Sequence, residues 1–170
     1  PQSPVQLAQW PALAEGFAKE GATVVISGRE AATLEATAAE LSTAENRVHF
    51  RVCDVSREES IAECAASIVA EFGRIDTLLN IAGVNNRKRV ETYTPAEYDF
   101  IVDINLRGAF LVAQAVGRHM ISRNSGAIVN VDSLNSHAPL KGVLPYAMSK
   151  AGVYTMTRGL ALEWAEHGVR

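Results

Sequence analysis

Tyr146 and Lys150 stand four residues apart in Tyr146-Ala147-Met148-Ser149-Lys150. On a helix, that spacing puts both side chains on one face, one turn apart. An ammonium held near a phenol favours the phenolate by charge attraction. A tyrosine tuned in this way can exchange a proton with an alcohol or carbonyl oxygen near neutral pH. Alone, the pair reads first as a surface tyrosine beside a lysine, by far the commoner outcome on a helix. Other polar residues stand in suggestive places. Ser133 lies 13 residues before Tyr146 and directly follows a short apolar run. Asn80-Ile81-Ala82-Gly83 and Asp54-Val55 follow two more such runs, and Asn105 sits in Asn105-Leu106-Arg107-Gly108. Taken singly, Asp54 reads as a helix cap, a place for which Ser56 is the better candidate. Asn105 taken singly reads as a helix-interior polar residue bonding backbone.

The elements that must position these groups are short β-branched runs alternating with Ala-rich helical stretches. Strands are predicted over 23–27, 47–53, 77–81 and 127–131. Helices are predicted over 30–43 and 57–72, the second with Gly73 as its stop. Thr94-Pro95-Ala96-Glu97 opens a long helix reaching about residue 119 or 120, with Thr94 as N-cap, Pro95 at the first helical position and Glu97 completing a capping box. A last helix runs from about 145 or 146 to 165. This alternation predicts an α/β fold built of βαβ units, a doubly wound parallel sheet with helices on both faces. Ligands of such sheets bind at the carboxyl ends of the strands. That rule singles out Gly28-Arg29, Asp54, Ala82-Gly83 and Ser133.

The chain has 170 residues and predicts one domain over 1–170. It is 48% hydrophobic and 21% charged, enough for a sizeable core, with a net charge of −3 that gives no reason to expect nucleic-acid binding. The longest basic run, Arg87-Lys88-Arg89, reads first as a solvated loop, and second as a surface for an anionic substrate. Cys53 and Cys64 match no metal spacing and read as free thiols of a reducing compartment. The sequence shows no apolar run expected to span a bilayer and no signal peptide, so a soluble cytoplasmic protein is expected.

In this order and spacing, Asp54-Val55, Asn80-x-Ala82-Gly83, Asn105, Ser133 and Tyr146-x-x-x-Lys150 resemble the short-chain dehydrogenase/reductase family, from about Ala14 to Arg170. The resemblance implies a Rossmann-type fold and NAD(P)-dependent interconversion of a secondary alcohol and a ketone. It makes Tyr146 the general acid/base. Lys150 lowers the tyrosine pKa and binds the nicotinamide ribose. Ser133 orients the substrate oxygen, and Asn105 helps hold a water of the proton relay. It gives Asp54 to the adenine, with Val55 beside it, and has Asn80, Ala82 and Gly83 line the cofactor. Ile81 replaces a second asparagine of the family pattern, and Asp132 stands where a serine is commonest. Gly28-Arg29 favours NADP over NAD, because relatives that prefer NAD carry an acidic residue there and a guanidinium suits a 2′-phosphate. The long helices imply a homodimer or homotetramer. Gly142-Val143-Leu144-Pro145 and Glu163-Trp164-Ala165-Glu166-His167-Gly168 look like gluconate 5-dehydrogenase-type members, and the substrate classes implied are sugar acids, polyols and 3-oxoacyl thioesters.

The chain departs from the family at both ends. The family opens with an apolar strand and a glycine-rich loop for the pyrophosphate. Here no glycine precedes Gly16, Ala8 and Trp10 fall where glycines belong, and residues 1–10 form an atypical segment. Trp10 would block the approach of a phosphate. The family's first strand is therefore expected to be missing, leaving unpaired edges on the strands near Val25 and Leu79. The last strands and the substrate-covering loop are missing too. The pattern points to a fragment or frame-disrupted reading of a longer enzyme. The competing expectation is a non-catalytic chain, a degraded paralogue acting at most as a dimerising module.

Overall fold

The computed structural model describes residues 10–44 and 46–170. Residues 1–9 and the side chain of Trp10 lie outside the described residues, and with them the expectations for the opening segment. The chain divides into two compact units, Pro1–Asp54 and Val55–Arg170.

In the first unit, α1 (Trp10–Lys19), β1 (Val25–Gly28), α2 (Ala31–Leu41) and β2 (His49–Val52) follow one another. β1 and β2 pair in parallel, with Ile26 opposite Phe50. Ala14 and Ala18 of α1 and Leu34 and Ala38 of α2 bury against Ile26 and Val48. The small α1 side chains let the helix approach closely. Asn46 ties the unit together from the side, its amide donating to the Ala18 and Ala22 carbonyls at 2.8 and 2.9 Å.

The second unit holds α3 (Glu58–Phe72), β3 (Thr77–Asn80), a 3₁₀ turn (Val90–Thr92), α4 (Pro95–Val102), a π-helical turn (Asp103–Gly108), α5 (Ala109–Ser122), β4 (Ala127–Asn130) and α6 (Leu144–Trp164). β3 and β4 pair in parallel, Leu78 opposite Ile128. Val116 and Met120 of α5 pack with Leu78, Ile128 and Trp164. Trp164 comes close to α5 because residue 117 is glycine: a Cβ there would stand 2.4 Å from the indole. The fold is α/β with parallel strands and helices, as expected. Among the described residues β1 has β2 as its one ladder partner and β3 has β4.

Four sequence expectations change. The cap of α3 is Arg57, with no side-chain cap bond, rather than Ser56. The long helix is not uniform, since a π turn interrupts it at Asp103–Gly108. The strand after β4 has begun by the last residues: Val169 bridges Gly126, and Ile128 N–H donates to Arg170 O at 2.8 Å. Finally, Pro95–Ser122 read as one helix of 28 residues carries an 18-residue window of mean hydropathy 1.4, long and apolar enough to cross a bilayer. This corrects the expectation that no such stretch exists. Its apolar side faces protein, with Ile101, Ile104, Ala113, Val116 and Met120 buried, so it is a core helix.

Candidate active site

Tyr146 and Lys150 lie on the first turns of α6, which Val143 caps and Leu144 starts, with Pro145 second. The Lys150 ammonium stands 6.0 Å from the centre of the Tyr146 ring. Lys150 is 4% exposed, and its Nζ donates to Val131 O at 2.7 Å. An ammonium has three donors, so two remain after that bond. Burial pushes the Lys150 pKa down, and the Asp132 carboxylate opposes that shift.

Asn105 sits in the π turn and is wholly buried. Its Oδ1 accepts from Val84 N–H at 2.7 Å, and its Nδ2 donates to Val84 O at 2.8 Å. The same Nδ2 donates to Ser149 Oγ at 3.0 Å, and that hydroxyl donates to Tyr146 O at 2.7 Å. A π turn adds a residue to the helical repeat and displaces the carbonyl pattern. Here it turns one amide toward the loop after β3 and the first turns of α6 at once. The next turn fits only because residue 108 is glycine: a Cβ there would stand 2.7 Å from Val55 O.

Asn80 ends β3 and is buried, its Nδ2 donating to Ala109 O at 2.8 Å and Asn130 Oδ1 at 3.2 Å. Asn130 in turn donates to Thr157 Oγ1 of α6 at 3.0 Å. Both strand ends are thereby tied to the two helices that cover them. Ala82 is exposed and Gly83 half-buried, just before the Val84 held by Asn105.

Ser133 follows β4 and precedes a 3₁₀ turn, Leu134–Ser136. Its Oγ accepts from the Asn135 backbone N–H and from Asn135 Nδ2, each at 3.2 Å. Those bonds leave the hydroxyl hydrogen free to point elsewhere. Asp132 accepts from the Ser136 hydroxyl, and His137 Nε2 is 3.8 Å from its other oxygen.

Thus Tyr146, Lys150, Asn105, Asn80 and the Val131–Ser133 stretch are linked through named bonds, whereas no hydrogen bond joins Ser133 to Tyr146 among the described residues. Val55 lies against Gly108. In the first unit, Arg29 directly follows β1 and is exposed, and Asp54 follows β2 and is half-buried. Of the basic triplet, Lys88 is held by Glu97 at 2.9 Å and Arg89 by Glu91 at 2.5 Å, which favours the structural reading for those two. Sequence reasoning missed Ser149, Asn135 and Asn130. A serine beside Lys150 and asparagines flanking Ser133 were visible, but their partners lie on other elements.

Residues 11–170 match the family described as short chain dehydrogenase. Gluconate 5-dehydrogenase of Gluconobacter oxydans (strain 621H) is 35% identical over 158 residues, 93% of this chain and 62% of that protein. A solved gluconate 5-dehydrogenase from Burkholderia cenocepacia J2315, in complex with NADP and tartrate, superposes with a TM-score of 0.88 at 33% identity, covering 93% of this chain and 62% of that one. An NAD+-bound xylitol dehydrogenase gives a TM-score of 0.91 at 32% identity over 94% of this chain and 62% of that one. The chain therefore spans 62% of the length of each of these relatives.

Proposed function

The chain belongs to the short-chain dehydrogenase/reductase family, and on that premise we propose that it interconverts a secondary alcohol and a ketone with NAD(P). The observation that carries this reading is the buried Lys150 ammonium one helical turn from Tyr146, on a turn pinned by Ser149 and Asn105. In the reducing direction the Tyr146 phenol donates its proton to the carbonyl oxygen; in the oxidising direction the phenolate takes the alcohol proton. Lys150 favours the phenolate and offers its two remaining donors to the cofactor's ribose hydroxyls. The free Ser133 hydrogen donates to the substrate oxygen and orients it. Both Asn105 amide hydrogens are engaged, by Val84 O and Ser149 Oγ, while its Oδ1, with one bond from Val84 N–H, keeps an acceptor site for a relay water. When bound, the nicotinamide supplies or accepts the hydride.

Asp54, Val55, Asn80, Ala82 and Gly83 are the other proposed cofactor contacts. Arg29 is exposed and has no ion-pair partner among the described residues, which supports NADP over NAD. The proposed substrate is a sugar acid, a polyol ketone or a 3-oxoacyl compound. A single partial dinucleotide-binding domain, a cytoplasmic location and a homodimer or homotetramer through the long helices complete the proposal. Exposed Phe110, Met148 and Tyr154 supply apolar surface for that contact.

Fluorescence titration of NADPH and NADH against the purified chain tests this reading, followed by turnover with ketones of the three classes. Saturable NADPH binding is expected, weakened roughly tenfold in Arg29→Ala by loss of a charge-assisted contact, with NADH unaffected. A folded chain that binds neither cofactor would instead favour the non-catalytic module.

A further inference from the structure

We infer that Asp132 is a positioning residue, a carboxylate clamped in the turn after β4 as the fixed counter-charge of the buried Lys150 ammonium. The inference rests on Lys150 tuning Tyr146, as proposed above, but its test reads Lys150 itself rather than turnover.

Three successive residues leave β4 with three tasks. Val131 accepts the Lys150 Nζ hydrogen bond, Asp132 carries the charge, and Ser133 presents a hydroxyl. A buried ammonium with one protein acceptor is costly without an opposite charge nearby. Asp132 directly follows Val131, whose carbonyl accepts from Lys150 Nζ at 2.7 Å, and its negative charge opposes the effect of burial on that ammonium.

The carboxylate is held in place. The Ser136 hydroxyl donates to one oxygen, and His137 Nε2 stands 3.8 Å from the other. The Asp132 side chain is 28% exposed, so water screens it only in part. His137 is itself packed edge-on against Tyr154 at 5.0 Å, and the Arg158 guanidinium lies 5.7 Å over that ring. The charged and titratable groups that these contacts link to the pair are His137, Tyr146, Tyr154 and Arg158.

A plainer role would be bracing the Ser133 turn, with the charge incidental. Asp132→Asn separates the two, because the amide oxygen still accepts from Ser136 while the charge is gone. The experiment is a pH titration of the 170-residue chain carrying lysine labelled with ¹³C at Cε, followed by NMR. Lys150 is assigned by the resonance lost in Lys150→Arg. In Asp132→Asn the Lys150 midpoint is expected to fall by about half a unit or more. An unmoved or raised midpoint overturns the inference. Ser136→Ala loosens the carboxylate without removing it, and is expected to lower the midpoint by less. No movement in that variant overturns the clamp, and its result stands should Asp132→Asn not fold. Absence of NADPH turnover leaves the titration readable, so the two claims fail separately.

Discussion

The helical stretch Pro95–Ser122 begins and bends in two contrasting ways. Its start is an exposed capping corner: Thr94 N–H donates to Glu97 Oε2 at 2.8 Å, Glu97 N–H donates to Thr94 Oγ1 at 3.3 Å, and Lys88 Nζ reaches both Glu97 oxygens at 2.9 Å. Tyr93 closes the corner by donating to Asn86 O, with the Lys88 ammonium 5.5 Å over its ring. The middle of the stretch is a π turn around one buried asparagine that touches no charge. The first arrangement uses charge at the surface to start a helix. The second uses neutral amides, sealed from water, to set where the first turns of α6 sit. Surface charge is weakened by salt and by acid, whereas a buried neutral network responds to neither until the core opens.

The largest effect should come from the middle. Asn105→Ala strands the Val84 N–H and C=O and removes a donor to Ser149, in a place where water does not compensate. Each buried polar group left unpaired costs about 1–3 kcal/mol, so a total loss of about 3 kcal/mol is expected from urea unfolding. A loss under about 1 kcal/mol would mean that the asparagine is not the hub described.

A smaller, acid-specific effect belongs to the start. The Thr94 backbone N–H, then the Lys88 ammonium, then the Thr94 hydroxyl hold the Glu97 pKa down to about 2 from 4.5. Its folded pKa is depressed, so its stabilisation is present above 4.5 and is lost as pH falls toward about 2. The stability gap between wild type and Glu97→Gln should therefore close across that window in stepwise acid unfolding experiments. A gap that stays constant would detach the corner from the charge on Glu97.

The same contrast explains what could be read in advance. Thr94, Pro95 and Glu97 interact within three residues, so their types and spacing announced the cap, and the structure has it as expected. Gly73 likewise stopped α3, in a left-handed conformation with φ 77°. The π turn was not legible, because its cause lies outside the helix. Asn105 bonds Val84 and Ser149, 21 and 44 residues away, and only the folded topology brings them together. The residue-level expectation that Asn105 bonds backbone was right in kind, but the backbone belongs to the loop after β3 and not to its own helix. Asp132 was visible as an oddity before Ser133. Its meaning depended on Val131 receiving Lys150 from another helix, which spacing alone does not give. The position of Ser56 suggested a cap from composition, yet the chain enters α3 one residue later at Arg57.

On the proposed function, Tyr146 moves the proton that accompanies hydride transfer, with Lys150 beside it. The most direct measurement is steady-state ketone reduction by the wild type and by Tyr146→Phe, with NADPH affinity measured alongside. Unchanged cofactor binding and a kcat lowered by about a hundredfold or more are expected. A Tyr146→Phe variant that turns over at the wild-type rate would contradict it.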